Sequence, residues 1–130
     1  LKDKKSILAD NIKILVEKGI CSIADVERYA KELEEILEKS YGEDELRKAA
    51  EYYKALSDPT RIKILKMLSF RPLCVCELTV MLEISQPAVT HHLKILERAG
   101  LIRGKRKGRW IYYELRYEGI LKEMEKALKG

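Results

Sequence analysis

The sequence predicts a mainly α-helical chain that ends in a helix-turn-helix and a two-stranded β-hairpin, with an added helical region at its N-terminus. Three observations predict it. Residues 85–100 read as one helix with both ends marked. A short apolar-periodic segment precedes that helix by a turn of a few residues. After Gly100 the apolar period changes from 3.6 to 2, around a cationic stretch bounded by glycines.

The elements follow in order. Residues 1–18 carry Leu8, Ile12 and Leu15 at helical spacing, and Gly19 ends the run. Ser22 with Asp25 three residues later has the form of a capping box. The helix after it carries Ile23, Val26, Ala30, Leu33 and Leu37 as a narrow seam suited to helix pairing, with Glu27, Lys31, Glu34, Glu35 and Glu38 on the solvated side. Tyr41-Gly42 interrupts the pattern. A third helix spans 43–56, with Leu46, Ala50 and Tyr53 on one side. These breaks divide the chain into an N-terminal helical extension, 1–42, and a second domain, 43–130. The extension is a candidate dimerisation region.

Ser57-Asp58-Pro59 is a stop and a restart, with Asp58 as the cap and Pro59 at the first helical position. Ile62, Leu65 and Leu68 point inward from the helix that follows, and Phe70-Arg71-Pro72 ends it. Residues 73–83 read as a short helix with Val75, Leu78 and Leu82 inward. Glu83-Ile84 then leads into the helix capped by Ser85, which completes a helix-turn-helix. Leu101-Ile102 begins one strand and residues 110–115 make another, with 104–109 as the loop between them. The last helix spans 118–129 and offers Ile120, Leu121, Met124 and Leu128 for packing.

Charge locates the working end. The 130-residue chain has a net charge of +5, but residues 1–56 carry 11 Lys/Arg against 13 Asp/Glu, and residues 57–130 carry 15 against 8. The surplus of cations therefore lies with the helix-turn-helix, which favours an anionic partner. No apolar run approaches the ~20 residues of a membrane span, so no membrane role is expected. Cys21, Cys74 and Cys76 form an odd set in a chain without a visible secretory signal, which favours reduced thiols and a cytoplasmic location. No catalytic residue can be placed: there is no phosphate-binding glycine loop and no paired-carboxylate motif, and an enzyme is not expected.

The 85–100 helix has two faces. Val89, His92, Leu93 and Leu96 form the buried stripe. The opposite face holds Pro87, Thr90, His91, Lys94 and Arg98, with Gln86 at its edge and almost no acid. Short hydrogen-bonding groups near a helix N-terminus suit the major groove of DNA. Gln86, Thr90 and His91 are the expected base readers, with Ser85, Pro87 and Lys94 beside them. The loop residues Lys105, Arg106, Lys107 and Arg109 would hold phosphates or the minor groove.

The motifs together resemble the ArsR/SmtB family of winged-helix repressors. Ala55-Leu56-Ser57-Asp58-Pro59-Thr60-Arg61 with Ile62-Lys63-Ile64-Leu65 is similar to the family's entry segment. Ser85-Gln86-Pro87-Ala88-Val89-Thr90-His91-His92-Leu93 is similar to its recognition helix, and Gly100-Leu101-Ile102 with Gly108-Arg109-Trp110-Ile111-Tyr112-Tyr113 to its strand and wing. The match runs over about residues 49–128. The resemblance implies a homodimer, paired through the helix of Tyr52 and Tyr53 and the helix of Met124. It implies binding to double-stranded operator DNA and release by an inducer.

Leu73-Cys74-Val75-Cys76-Glu77-Leu78 resembles the box of the family's arsenite-responsive members. Thiolates suit soft ions, so Cys74 and Cys76 are the candidate ligands for As(III), Sb(III) or a soft divalent metal, with no obligatory cofactor. On one regular helix, residues i and i+2 lie about 200° apart, so both sulfurs reach one ion only if the helix start unwinds. The third cysteine of the resembled box is replaced here by Thr79, and Cys21 is the remaining thiol. Three readings stay open. The pair is a soft-ion sensor, with or without Cys21; it is a thiol redox switch; or it is structural, and a different effector or a protein partner controls the chain. The family's other ligand set, on the last helix, is not expected, because His91 and His92 are the only histidines and both lie in the reading helix.

Overall fold

The computed structural model describes residues 3–130. Leu1 and Lys2, which the sequence assigned to the first helix, lie outside the described residues. The chain divides into two compact units, residues 1–46 and 47–130.

In the first unit, α1 (Lys4–Glu17) and α2 (Val26–Lys39) pack as a helical pair. Ala9, Ile12 and Ala30 are buried between them, flanked by Leu8, Val16, Ile23, Val26 and Leu33. The α2 seam is thus covered within the chain up to Leu33, while Ile36 and Leu37 remain exposed. The cap of α2 differs from the expected one. Ser22 lies outside the helix, and Asp25 is the N-cap, its carboxylate accepting the Arg28 N–H at 3.1 Å. A short acid one residue before the helix satisfies that donor directly, so no reciprocal box forms.

The second unit takes most of α3 (Glu43–Ala55), then α4 (Pro59–Leu68), β1 (Leu73–Cys74), α5 (Val75–Leu82), α6 (Gln86–Arg98), β2 (Ile102–Lys107), β3 (Trp110–Leu115) and α7 (Gly119–Lys129). Its core is one cluster. Ala55, Ile64, Leu65, Leu68, Leu78, Val89, Leu93, Leu96, Leu101, Ile102 and Ile120 are buried, and Leu73 closes the edge. Asp58 caps α4 by accepting the Arg61 N–H at 3.0 Å, and Pro59 opens the helix, as expected. The third helix turns Tyr52 and Ala55 inward and leaves Leu46 and Tyr53 exposed. Tyr52 donates to Glu123 of α7 at 3.3 Å, and burial with the neighbouring carboxylate pushes its phenol up to about 12. Leu128, expected to pack, is 81% exposed near the end of α7.

Two further expectations are corrected. The segment 73–83 is not helical throughout: Leu73 and Cys74 form a short strand antiparallel to β3, with Leu73 opposite Tyr113 and Cys74 opposite Tyr112. The sheet therefore has three strands in the order β1-β3-β2. The expected six-residue loop at 104–109 is also mostly strand. Lys107 pairs with Trp110, which leaves Gly108 and Arg109 as a two-residue turn, with Gly108 at φ 63°. Gly104 serves packing instead: a Cβ there would lie 3.0 Å from Ile111 Cγ2 and 3.2 Å from a Tyr113 ring carbon.

Candidate nucleic-acid interface and cysteine box

The exposed face of α6 is built by its N-terminus. Ser85 has extended backbone (ψ 154°) and its Oγ accepts the Ala88 N–H at 3.3 Å. Pro87 sits in the first turn, where its missing N–H leaves nothing unpaired. The turn before Ser85 is set by Glu83, a non-glycine residue in the left-handed region at φ 56°, whose N–H still bonds the Thr79 carbonyl at 3.0 Å. Val89, Leu93 and Leu96 then anchor the helix in the core. On the outer side Gln86, Pro87, Thr90, His91 and Lys94 line one shallow concavity. The structure brings together these five of the six helix residues expected to face DNA, with Ser85 at their head.

The hairpin sorts its cations by strand register. Arg103, Lys105 and Lys107 alternate onto the face of Glu114, Tyr112 and Trp110, whereas Arg106 lies on the other face with Ile111. Lys105 does not stand free as a phosphate clamp. Its Nζ is 2.9 Å from Glu114 Oε1, and Arg103 Nε donates to the same oxygen at 2.7 Å. Those two cations hold the Glu114 carboxyl below its ordinary range. Lys107 lies over the Tyr112 ring and Arg109 over Trp110, at 6.0 and 5.5 Å from the ring centres. Arg103 and Trp110 were not singled out from the sequence. Both lie just outside the expected loop, and the strand alternation that puts them on the face of Lys105 and Lys107 becomes visible only once 104–107 are read as strand.

At the cysteine box the strand changes the geometry. Cys74 is the N-cap of α5, buried, with extended backbone (ψ 168°), and Cys76 is exposed one residue inside the helix. The angular separation expected for two residues of one helix does not apply, because Cys74 stands outside it. Glu77 Oε1 accepts the Cys74 N–H at 3.0 Å, and the other carboxylate oxygen pairs with Arg71. The Cys74 backbone bond first, and then Arg71, keep the Glu77 carboxyl low. Cys76 opens on an apolar groove with Met67, Phe70, Leu73, Val80 and Met81. Thr79 turns its hydroxyl back to the Val75 carbonyl at 2.7 Å. Among the described residues no cluster of three or more His, Cys, Asp or Glu is placed to hold a metal ion.

His92 lies on the inner flank of α6 as a hydrogen-bonded packing residue. Its Nδ1 is 3.1 Å from Arg61 Nη1. Arg61, the buried cation of the core, was missed by reading α4 for its apolar stripe alone.

Comparison with known proteins places the arrangement. A family described as "Bacterial regulatory protein, arsR family" matches residues 58–103. The chain is 45% identical over 67 residues to an HTH-type transcriptional regulator of Methanocaldococcus jannaschii, spanning 51% of this chain and 75% of that one. It is 44% identical to the arsenical resistance operon repressor of Bacillus subtilis, spanning 60% of this chain and 78% of the repressor. With other relatives the match spans as little as 54% of their length. The solved structure of HlyU from Vibrio cholerae superposes with a TM-score of 0.57 at 32% identity, covering 68% of this chain and 96% of that one. With a helix-turn-helix, a basic wing and this sequence likeness on the same residues, the chain belongs to the ArsR family of winged helix-turn-helix transcriptional regulators.

Proposed function

We propose that the protein is a dimeric repressor that binds operator DNA and leaves it when a soft metal or metalloid ion, As(III), Sb(III) or a soft divalent metal, binds Cys74 and Cys76. One observation carries the DNA half of the reading. The capped N-terminus of α6 gathers Gln86, Pro87, Thr90, His91 and Lys94 into one exposed surface, with Ser85 at its start. Gln86, Thr90 and His91 present the hydrogen-bonding groups that read base edges, and Lys94 approaches phosphate. Arg106, Lys107 and Arg109 extend the contact from the wing, and Lys105 joins them where it exchanges Glu114 for phosphate. Dimerisation uses the exposed apolar side of α3 and α7, where Tyr53, Leu56, Ile62, Met124 and Leu128 line one groove. It would set two recognition helices about one helical turn apart, ~34 Å, or a multiple of it. Residues 1–42 supply a second, smaller dimer contact through the exposed Ile36 and Leu37.

The inducer half rests on where the thiols sit. Cys74 is joined to the wing strand by its pairing with Tyr112, and to α5 by the Glu77 cap. An ion that takes both sulfurs would tie the end of β1 to the first turn of α5. Any shift of Cys74 on binding would bear on the β1–β3 pairing and the α5 cap together, and α5 packs on α6. Wing and recognition helix would thus be displaced by one event, which is the differential contact that a coupling between two sites requires. The homologous arsenical resistance repressor supports this choice of ligand over a purely redox signal.

The test is fluorescence anisotropy on a duplex from the chain's own upstream region, under reducing conditions, titrated with arsenite, cadmium and a mild oxidant. Release of the wild type by arsenite or cadmium, and of neither Cys74→Ser nor Cys76→Ser, is the expected result. Release by oxidant alone would replace the ion with a redox signal. No release by any of them would make the cysteines structural and move the effector elsewhere.

A further inference from the structure

The α3–α4 corner holds a hydrogen-bonded assembly that ends on the recognition helix. Arg61 is 8% exposed. Its Nε donates to the Ala55 carbonyl at 2.8 Å and its Nη2 to the Lys54 carbonyl at 3.1 Å, so the guanidinium closes the C-terminus of α3. The remaining arm reaches His92 Nδ1 at 3.1 Å. Asp58 caps the Arg61 N–H and stands 4.0 Å from the same ring nitrogen. One buried side chain therefore fixes the end of α3, the start of α4 and the inner flank of α6.

The protonation state follows from donor chemistry. A guanidinium has five N–H groups and no acceptor, so the 3.1 Å contact is a hydrogen bond only if His92 Nδ1 offers its lone pair. The ring must then be neutral, with its proton on Nε2. A protonated ring would turn an N–H toward a buried cation and lose the bond. The charged and titratable groups facing the ring are Asp58 and Arg61 from the start of α4 and His91 from α6, its ring centre 6.0 Å away. Glu51, Lys54 and Arg98 line the small cavity beside Arg61 and His91. Burial, followed by Asp58 acting in the opposite sense and then by Arg61 and His91, leaves the imidazole below its ordinary value.

We propose that Arg61 and His92 are positioning residues for DNA recognition, a latch that seats α6 at the reading angle only while His92 is neutral. Acidification therefore weakens DNA binding by unseating the helix. The inference rests on the DNA-binding reading above. Its size follows from linkage. If the unlatched helix carries a His92 of ordinary pKa, about 6.5, and the reading conformation requires the neutral ring, affinity falls between pH 7.5 and 5.5 by up to about tenfold for each reading helix, and so by up to about a hundredfold for a dimer that seats two. His91, the other histidine of α6, lies on the DNA-facing side in the same reading, so the test is run in its absence.

The experiment separates the two rings. Anisotropy on a duplex from the chain's own upstream region, at fixed ionic strength from pH 7.5 to 5.5, is run with His91→Gln and with His91→Gln/His92→Asn. An Asn side-chain oxygen sits near the position of Nδ1 and accepts without titrating. The single variant should lose affinity on acidification, by at least about threefold and by no more than about tenfold for each reading helix. The double variant should bind within about threefold of it at pH 7.5 and stay flat to within about twofold. A double variant that keeps the acid loss, or a single variant that shows none, overturns the latch. Nitrogen-15 NMR of the wild-type histidine rings gives an independent measure, whether or not the double variant folds. His92 should carry its proton on Nε2 at pH 7.5 and titrate below about 6.5; a proton on Nδ1 refutes the proposal. If the wild type binds no upstream duplex at any pH, the function assigned above has failed, and the NMR result still decides whether the latch exists.

Discussion

Replacing Glu114 by Gln should strengthen DNA binding, which is unusual for a change at a wing residue. Glu114 Oε1 holds both Arg103 Nε, at 2.7 Å, and Lys105 Nζ, at 2.9 Å. A phosphate that contacts either cation must share it with this carboxylate, whose charge offsets part of the attraction. Between residues 103 and 114 the wing carries five cations and one anion, so its net charge rises from +4 to +5 per protomer. Each phosphate newly neutralised steepens the plot of log affinity against log salt by about 0.9. Freeing one cation per protomer gives the DNA-bound dimer two new contacts and a change of about 1.8, and freeing both about 3.6. Extrapolated from a 1 M reference, one extra contact corresponds to roughly fivefold tighter binding at 0.15 M salt. The assay is anisotropy on one duplex over a salt series, for wild type, Glu114→Gln and Arg106→Ala/Arg109→Ala. The last variant should flatten the slope. A Glu114→Gln slope equal to that of the wild type, or weaker binding at every salt concentration, would refute the reasoning. It would mean that the carboxylate braces the hairpin in its binding shape and does not compete with phosphate.

Three further outcomes are expected. Leu93→Ala removes a side chain that is 1% exposed in the anchor of α6, and should cost about 2–5 kcal/mol in urea unfolding; a loss under ~1 kcal/mol would place Leu93 outside the core. Asp58→Ala removes the cap of α4, with an expected loss of about 0.5–2 kcal/mol at neutral pH. The Arg61 N–H bond is the main cause holding the Asp58 carboxyl below its ordinary value. The stabilisation is therefore complete above the ordinary carboxylate pKa and is lost as pH falls through the lower folded value. Wild type and variant should converge in strong acid, and a gap that widens there would contradict the cap. Thr79→Cys supplies a third thiol one helical turn after Cys76 and should tighten arsenite release of DNA by tenfold or more, on the order of 1.4 kcal/mol; no change would separate arsenite from this box.

What the sequence made legible was whatever depends on near neighbours. Ser85 with Pro87, and Asp58 with Pro59, mark helix starts because a cap and its N–H lie within four residues of each other. The α6 stripe Val89, Leu93 and Leu96 is buried for the same reason: a 3.6-residue period suffices to choose its face. The misreadings concern partners distant in the chain. Leu73 and Cys74 are a strand only because Tyr113 and Tyr112, about forty residues later, present a free edge. Residues 104–107 looked like a loop because charge dominates them, yet a strand exposed on both faces bears charge without loss, and a two-residue turn at Gly108-Arg109 needs little else. Arg61 was passed over because a cation at an inward position is expected to be exposed. Its burial is tolerated because the two carbonyls at the end of α3 and His92 satisfy it, and none of those three contacts is visible from spacing.

The strand β1 joins the sheet through its main chain alone. Its pairing with Tyr113 and Tyr112 is made by main-chain atoms; Leu73 adds its side chain to the core, and the pairing asks of position 74 only a side chain that fits. The chemistry displayed at the box can therefore be exchanged residue by residue while the hairpin beside it stays in register. Such a scaffold lets a lineage alter what it senses and keep what it reads, and lets an experimenter graft a different ligand set onto positions 74, 76 and 79, leaving the Glu77 cap and the buried Leu78 in place.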